Sequence, residues 1–153
     1  MNDPIAQLKR DHRDVAAMLK TLDASKPGAR RRATLDKLVK SLELHMEIEE
    51  TAVYPLVTER VDEDDAKEAR IEHGLARDGL AKLQELVDAP GFGAAVAMVT
   101  AGIKHHVKEE EQEIFPQLKK KLDRDELRAL GDRVATAEQD GRRRPRRLQT
   151  ATS

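Results

Sequence analysis

The 153-residue sequence has no cysteine and no tryptophan, and only one tyrosine and two phenylalanines. Without cysteine there are no disulfides, no thiolate metal sites and no cysteine nucleophile. Aromatics make up 2% of the residues, so Leu, Val, Ile and Ala must fill the core. No apolar run approaches the roughly 18 residues of a membrane span, and none precedes Lys9, Arg10 and Asp11 as a signal peptide would require. Neither charge sign dominates, with 28 Lys and Arg against 29 Asp and Glu. A soluble cytoplasmic protein of one domain is the expectation.

What the chain does have is charge and helix-forming residues. Charged residues are 37% of the total, and Ala, Leu, Glu, Lys and Arg together favour helices with solvated outer faces. A first helix is expected from Asn2 or Asp3 as N-cap, with Pro4 in the first turn. It carries Ile5, Leu8, Val15, Leu19 and Leu22 on one face and ends near Ser25, before Pro27-Gly28. A second should run from about Ala29 to Arg60 through Leu35, Leu38 and Leu42, with Pro55 kinking or ending its last part. The acidic cluster Asp62 to Asp65 suits the start of a third, which reaches about Val87 with Ala69, Ala76, Leu80, Leu83 and Val87 inward. Ala89-Pro90-Gly91 breaks it. A fourth spans about Phe92 to Leu122 through Val96, Val99 and Ile103. Asp123 and Glu126 resemble a capping box opening a short fifth helix to about Ala137. The expected architecture is all-α: an up-down antiparallel four-helix bundle over residues 1–140, with a short C-terminal fifth helix. Residues 141–153 lack apolar periodicity and read as an Arg-rich disordered tail.

The chain repeats itself. His45-Met-Glu-Ile-Glu-Glu-Thr-Ala-Val-Tyr-Pro55 and His106-Val-Lys-Glu-Glu-Glu-Gln-Glu-Ile-Phe-Pro116 share His, two Glu, an aromatic and Pro, at an offset of 61 residues. The same offset carries His12 onto His73, Leu19 onto Leu80, Leu22 onto Leu83 and Leu42 onto Ile103. Four of the five histidines obey it, and the two halves should be related by a pseudo-two-fold axis.

On a helix, positions i and i+4 lie about 40° apart, so His45 with Glu49, and His106 with Glu110, project from single faces. Glu50 and Glu111, at i+5, should point well away, and the Glu109–Glu111 run should otherwise be a solvated face. His12 and His73 occupy slots in apolar stripes. A lone histidine in such a stripe is usually a packed core residue, and a lone His–Glu pair is usually on the surface. Two pairs and two stripe histidines in register are different. Duplication for packing alone explains the repeated leucines, not the inward His and Glu. Burying bare carboxylates is heavily penalised, and cations resolve that penalty. Imidazole with carboxylate and no thiolate suits iron, manganese or zinc. The predicted metal ligands are therefore His12, His45, Glu49, His73, His106 and Glu110, enough for two ions. His105 matches Leu44 in the repeat and reads as a non-ligand.

Spread over four helices, this pattern of two single histidines and two His-x-x-x-Glu motifs resembles the hemerythrin-like HHE cation-binding domain, over roughly residues 1–122. The resemblance implies two iron ions in a non-haem centre, with His12, His45, His73 and His106 as terminal ligands and Glu49 and Glu110 bridging. Oxygen-carrying hemerythrins have a second His four residues after the third-helix His, where this chain has Arg77. They also place an Asp five residues after the last His, where Glu111 stands one position beyond Glu110. These departures argue against simple oxygen carriage. In some relatives a tyrosine at the end of the motif reaches the iron. Here Tyr54 should point away from Glu49 by ideal helical angle, unless Pro55 disturbs the backbone, and it stands equally well as a ligand or as packing.

The leading functional expectation is a di-iron protein that consumes hydrogen peroxide or nitric oxide, in a catalase- or peroxidase-like way. The alternative is an oxygen or iron binding or sensing module without turnover. A small-molecule partner is implied and a membrane is not. The five arginines between Arg142 and Arg147 could dock nucleic acid or an anionic surface, although a solvated tail is the favoured reading.

Overall fold

The computed structural model describes residues 3–143, and all its regular structure is helical. Five continuous helical stretches carry seven α-segments: α1 (Pro4–Asp23), α2 (Ala29–Ile48), α3 (Tyr54–Arg60), α4 (Glu63–Glu85), α5 (Phe92–Glu109), α6 (Phe115–Lys121) and α7 (Arg124–Arg143). Two π-helical segments, Glu49–Val53 and Glu110–Ile114, join α2 to α3 and α5 to α6. Among the described residues no helix is long and apolar enough to cross a membrane.

Local chemistry sets the boundaries. Asp3 caps α1, accepting from the Ile5 and Ala6 amides at 3.0 and 3.2 Å, with Pro4 needing no partner for a missing N–H. Gly28, at φ +142°, makes the turn into α2 in a conformation other residues rarely adopt. Asp62 caps α4 through the Asp64 amide. Asp123 and Glu126 make the reciprocal capping box expected of them, at 2.8 and 3.1 Å. Arg31 is buried, stacks over Phe92 and donates to Ser25 and to the Val87 carbonyl, tying together two inter-helix turns.

The helix α1 packs on α2 and α5, and α4 on α5 and α2, closing a ring of four. The core within it is split. Leu8, Ile48, Ala69 and Ile114 belong to one apolar cluster, and Val15, Leu42, Leu80 and Ile103 to another. His12, His45, His73 and His106 fall between those neighbours on their respective helices, so a polar layer separates two dry ones.

The fifth helix departs from expectation. It is 20 residues long rather than short, and it continues through Gly141 to Arg143. It packs on α1, α2 and the first π segment, burying Leu130 and Val134. Gly141 lies against Leu44, where a Cβ would collide with the leucine side chain. The expected disorder from Gly141 therefore does not hold for residues 141–143, and the remainder of the Arg-rich stretch lies outside the described residues.

Candidate metal centre

Both π segments sit where the repeat places them, each ending at an aromatic followed by Pro. The Tyr54 amide donates to the Glu49 carbonyl and the Phe115 amide to the Glu110 carbonyl, five residues back. In this register five residues make roughly one turn. Position i+5, which an α-helix turns far from i, returns close to the face of i. Pro55 and Pro116 neither end nor sharply break the helix; each falls in the first turn of the α-segment that follows.

The inward groups form two overlapping clusters. Ligand atoms of His12, His45, Glu49 and Glu110 lie within 4.8 Å of one another, and so do those of Glu49, His73, His106 and Glu110. The two glutamates are common to both and fully buried. The halves match closely: the His12 and His45 rings are 4.8 Å apart at 66°, and the His73 and His106 rings 4.8 Å apart at 62°. His12 Nε2, His45 Nε2, Glu49 Oε2 and Glu110 Oε1 are buried and make no hydrogen bond. Nitrogen and carboxylate approach to 3.2 Å in the first half (His12–Glu110) and 3.1 Å (His45–Glu49) without hydrogen-bond geometry. Orphaned buried acceptors of this kind are costly unless something between them completes the site.

A second set of carboxylates orients the rings. Asp11 holds His45 Nδ1 at 3.0 Å, Glu50 holds His73 Nδ1 at 2.8 Å, Glu72 holds His106 Nδ1 at 2.7 Å and Glu111 holds His12 Nδ1 at 2.7 Å. A carboxylate on Nδ1 keeps the N–H there and leaves the Nε2 lone pair facing inward, as metal-binding histidines require. Each supporting carboxylate comes from a different helical stretch than its histidine, so the four contacts close a ring. Burial opposes charge on His45, but Glu49 and the Asp11 bond prevail and push its pKa up to about 10. His106 is likewise pushed up to about 11 by Glu110 and Glu49 against burial. Burial also opposes ionisation of Glu49, yet the surrounding His45, His106 and His73 hold it well below the usual carboxylate range. The cavity thus demands positive charge, and the residues fit a metal-binding site.

Glu50 and Glu111 were expected to point away into solvent and do not. Each reaches across to a neighbouring helical stretch, Glu50 to His73 and Glu111 to His12, and Arg77 braces Glu50 at 2.7 Å. Asp11 and Glu72, each one residue before a stripe histidine, escape a reading confined to the apolar stripe. Asp11 with Glu72, and Glu50 with Glu111, nevertheless keep the 61-residue offset, which was the available signal.

The π register corrects the ideal-angle direction for Tyr54. Its hydroxyl is buried 2.7 Å from Glu110 Oε2, 2.9 Å from His73 Nε2 and 3.3 Å from Glu49 Oε1. Burial, together with Glu49 and Glu110, holds this phenol well above its usual pKa. Its repeat mate Phe115 instead stacks on His12, 6.0 Å between centroids and 7° between planes. His105 is exposed and pairs with Glu109 at 3.1 Å, outside both buried clusters; with Glu72 and Glu109 it forms a third, surface group.

The sequence model of the hemerythrin HHE cation binding domain matches residues 3–118. Among solved structures, the chain is similar to a hemerythrin HHE cation binding domain-containing protein from Mycobacterium kansasii, at a TM-score of 0.80 and 23% identity over 93% of this chain and 88% of the other. At that identity the likeness concerns the fold. No curated protein sequence matches.

Proposed function

We infer, from a chain that belongs to the hemerythrin HHE cation-binding domain family, that the buried cluster holds two iron ions and that the protein consumes a small oxidant, hydrogen peroxide or nitric oxide. The observation that carries this reading is the set of four inward Nε2 atoms, each ring fixed through Nδ1 by a carboxylate, around two shared glutamates. His12 and His45 would hold one ion and His73 and His106 the other, with Glu49 and Glu110 within reach of both. Iron so bound supplies redox cycling and Lewis acidity that the side chains lack.

The chain's own residues do the rest. Six carboxylates, two shared and four outer, balance the cations. The outer four also raise the basicity of the imidazoles. The two apolar clusters keep bulk water from the layer between them. The Tyr54 hydroxyl lies among Glu49, His73 and Glu110 and would offer a hard oxygen donor to an ion held there, whereas Phe115 beside His12 offers none. The up-down antiparallel reading of the bundle rests on the way successive helices α1, α2, α4 and α5 pass between the two apolar clusters in alternating sense. The folded unit reaches Arg143 rather than stopping at 140, and a cytoplasmic setting remains part of the proposal.

The test is elemental analysis after iron loading, followed by addition of peroxide or nitric oxide. Two irons per chain and consumption of either oxidant are expected. Reversible dioxygen binding without consumption would move the reading to a binding or sensing module. One metal or none would end it.

A further inference from the structure

The two halves present the same surface in two forms. Outside His45, between α1 and α2, lies a cleft bordered by Asp11, Asp14, Lys37, Ser41 and Leu44, with Glu138, Gly141 and Arg142 of α7 along it. Moved by the repeat of 61 residues, those five become Glu72, Leu75, Met98, Gly102 and His105. All five line a second cavity of about 310 Å³ between α4 and α5. This second cavity differs from its twin in three ways. No described residue of α7 lines it. Leu75 and Met98 replace the charged Asp14 and Lys37, and stand 65% and 76% exposed at its rim. It also reaches His12, His45, His73 and His106, whereas the first touches His45 alone.

Gly102 marks how the opening is kept. A glycine inside a helix weakens it, so one in the middle of α5 calls for a reason. At Gly79, on the facing helix, a Cβ would press on Val99 Cγ2 at 2.8 Å, so close packing is the reason there. At Gly102 a Cβ would meet nothing within 4 Å. Gly102 is exposed and lines the cavity, so a large side chain placed there would fill the opening without displacing a packed neighbour. Around the rim, Glu72 and Glu109 flank His105, and carboxylates beside an apolar mouth disfavour an approaching anion.

We propose that the cavity between α4 and α5 is the route by which the small reactant reaches the centre, that Gly102 keeps it open, and that its apolar rim selects an uncharged molecule over an anion. This rests on the oxidant-consuming reading for its reactant, but the cavity can be tested without it. Xenon binds dry apolar cavities. On the protein as isolated, xenon NMR should show binding that Gly102→Leu abolishes and Ser41→Leu, its repeat mate on the α7 side, leaves intact. That pair of results is expected whether or not the parent reacts with any oxidant, so a parent inert to nitric oxide would count against the proposed function alone. Xenon binding unchanged in Gly102→Leu would overturn the route. In stopped flow, nitric oxide association with the reduced, iron-loaded protein should slow at least tenfold in Gly102→Leu, with iron content and helical circular dichroism kept. Parent-like rates in Gly102→Leu, or equal slowing by Ser41→Leu, would also overturn it. For the selection, Met98→Lys places the covered face's own charge at the rim. Azide association should rise several-fold with nitric oxide unaffected; no change with azide removes the selection.

Discussion

The half with α7 over it and the half without are built from one pattern and meet solvent differently. At the centre the histidine pairs match, with rings at the same separation and almost the same angle. A few ångströms outward they diverge. Asp11 faces Glu138 of α7 as well as holding His45, and Leu44 lies under Gly141. Their mates Glu72 and His105 face an open mouth. Residues of the two buried clusters are constrained by geometry common to both halves. Those farther out are free to answer to what covers them.

The largest effect should come from the groups both halves share. Glu49→Ala or Glu110→Ala removes a carboxylate common to both clusters, so each should lose both irons by elemental analysis. His12→Ala and His73→Ala should each lose less, and to a similar degree. A Glu49→Ala protein that kept two irons would break the equivalence at its root.

Next come the outer carboxylates, where the halves should part. Loss of a supporting partner typically weakens metal binding about 10–100-fold. Glu72→Ala leaves a gap that water can enter from the open side. Asp11→Ala opens a gap beneath α7, beside the buried Glu138, which Arg142 still faces at 3.7 Å. Chelator competition should therefore show the greater loss for Asp11→Ala, and equal losses would mean that α7 does not seal its side.

Tyr54→Phe makes the two clusters alike. Both irons should remain, a visible charge-transfer band should vanish, and the rate with peroxide or nitric oxide should change. Spectra and kinetics identical to the parent would leave the tyrosine as packing.

A smaller effect concerns pH. Burial and the facing Asp11 push the Glu138 carboxyl up to about 7, from an ordinary 4.5. A raised acid makes the folded state the better proton binder, so stability falls as pH rises from about 4.5 and levels off above about 7. Glu138→Gln keeps the donor and removes the titration. Its melting temperature should drop less than the parent's between about pH 5 and pH 8, by a few degrees at most; parallel curves would exclude this pair as the cause. Smallest of all, His105→Ala should leave iron content unchanged, because His105 is exposed, pairs with Glu72 and Glu109 and lies outside both buried clusters.

Much of this could be read from the residues in order. Hydrophobic spacing and caps place α1, α4 and the start of α7 to within a residue or two, and repeat plus periodicity select His12, His45, Glu49, His73, His106 and Glu110. What escapes has one physical origin in each case. The direction of Tyr54 depends on a hydrogen-bond register shifted by one residue, and no side-chain stripe reports which carbonyl an amide chooses; Glu50 and Glu111 find partners only on a neighbouring helix, which their own helix does not reveal. The length of α7 escapes because the residues from Gly141 onward lack apolar periodicity, although in the fold the missing Cβ of Gly141 is what lets the helix lie on Leu44. Glu138 escapes because a buried acid is recognisable only beside its partner, 127 residues away in the chain at Asp11.

The closed ring of histidine supports has a further consequence. Asp11–His45 and Glu72–His106 lie within the halves, but Glu50–His73 and Glu111–His12 cross between them, and each crossing contact is the other's image under the repeat. That reciprocity defines an isologous dimer interface. The chain is in this sense a dimer of helical hairpins whose protomers happen to be joined at Val61 and Asp62. Neither hairpin owns a complete set of supports. Severed at that link, the two pieces would have to find each other, and metal would be the reagent that decides whether they do.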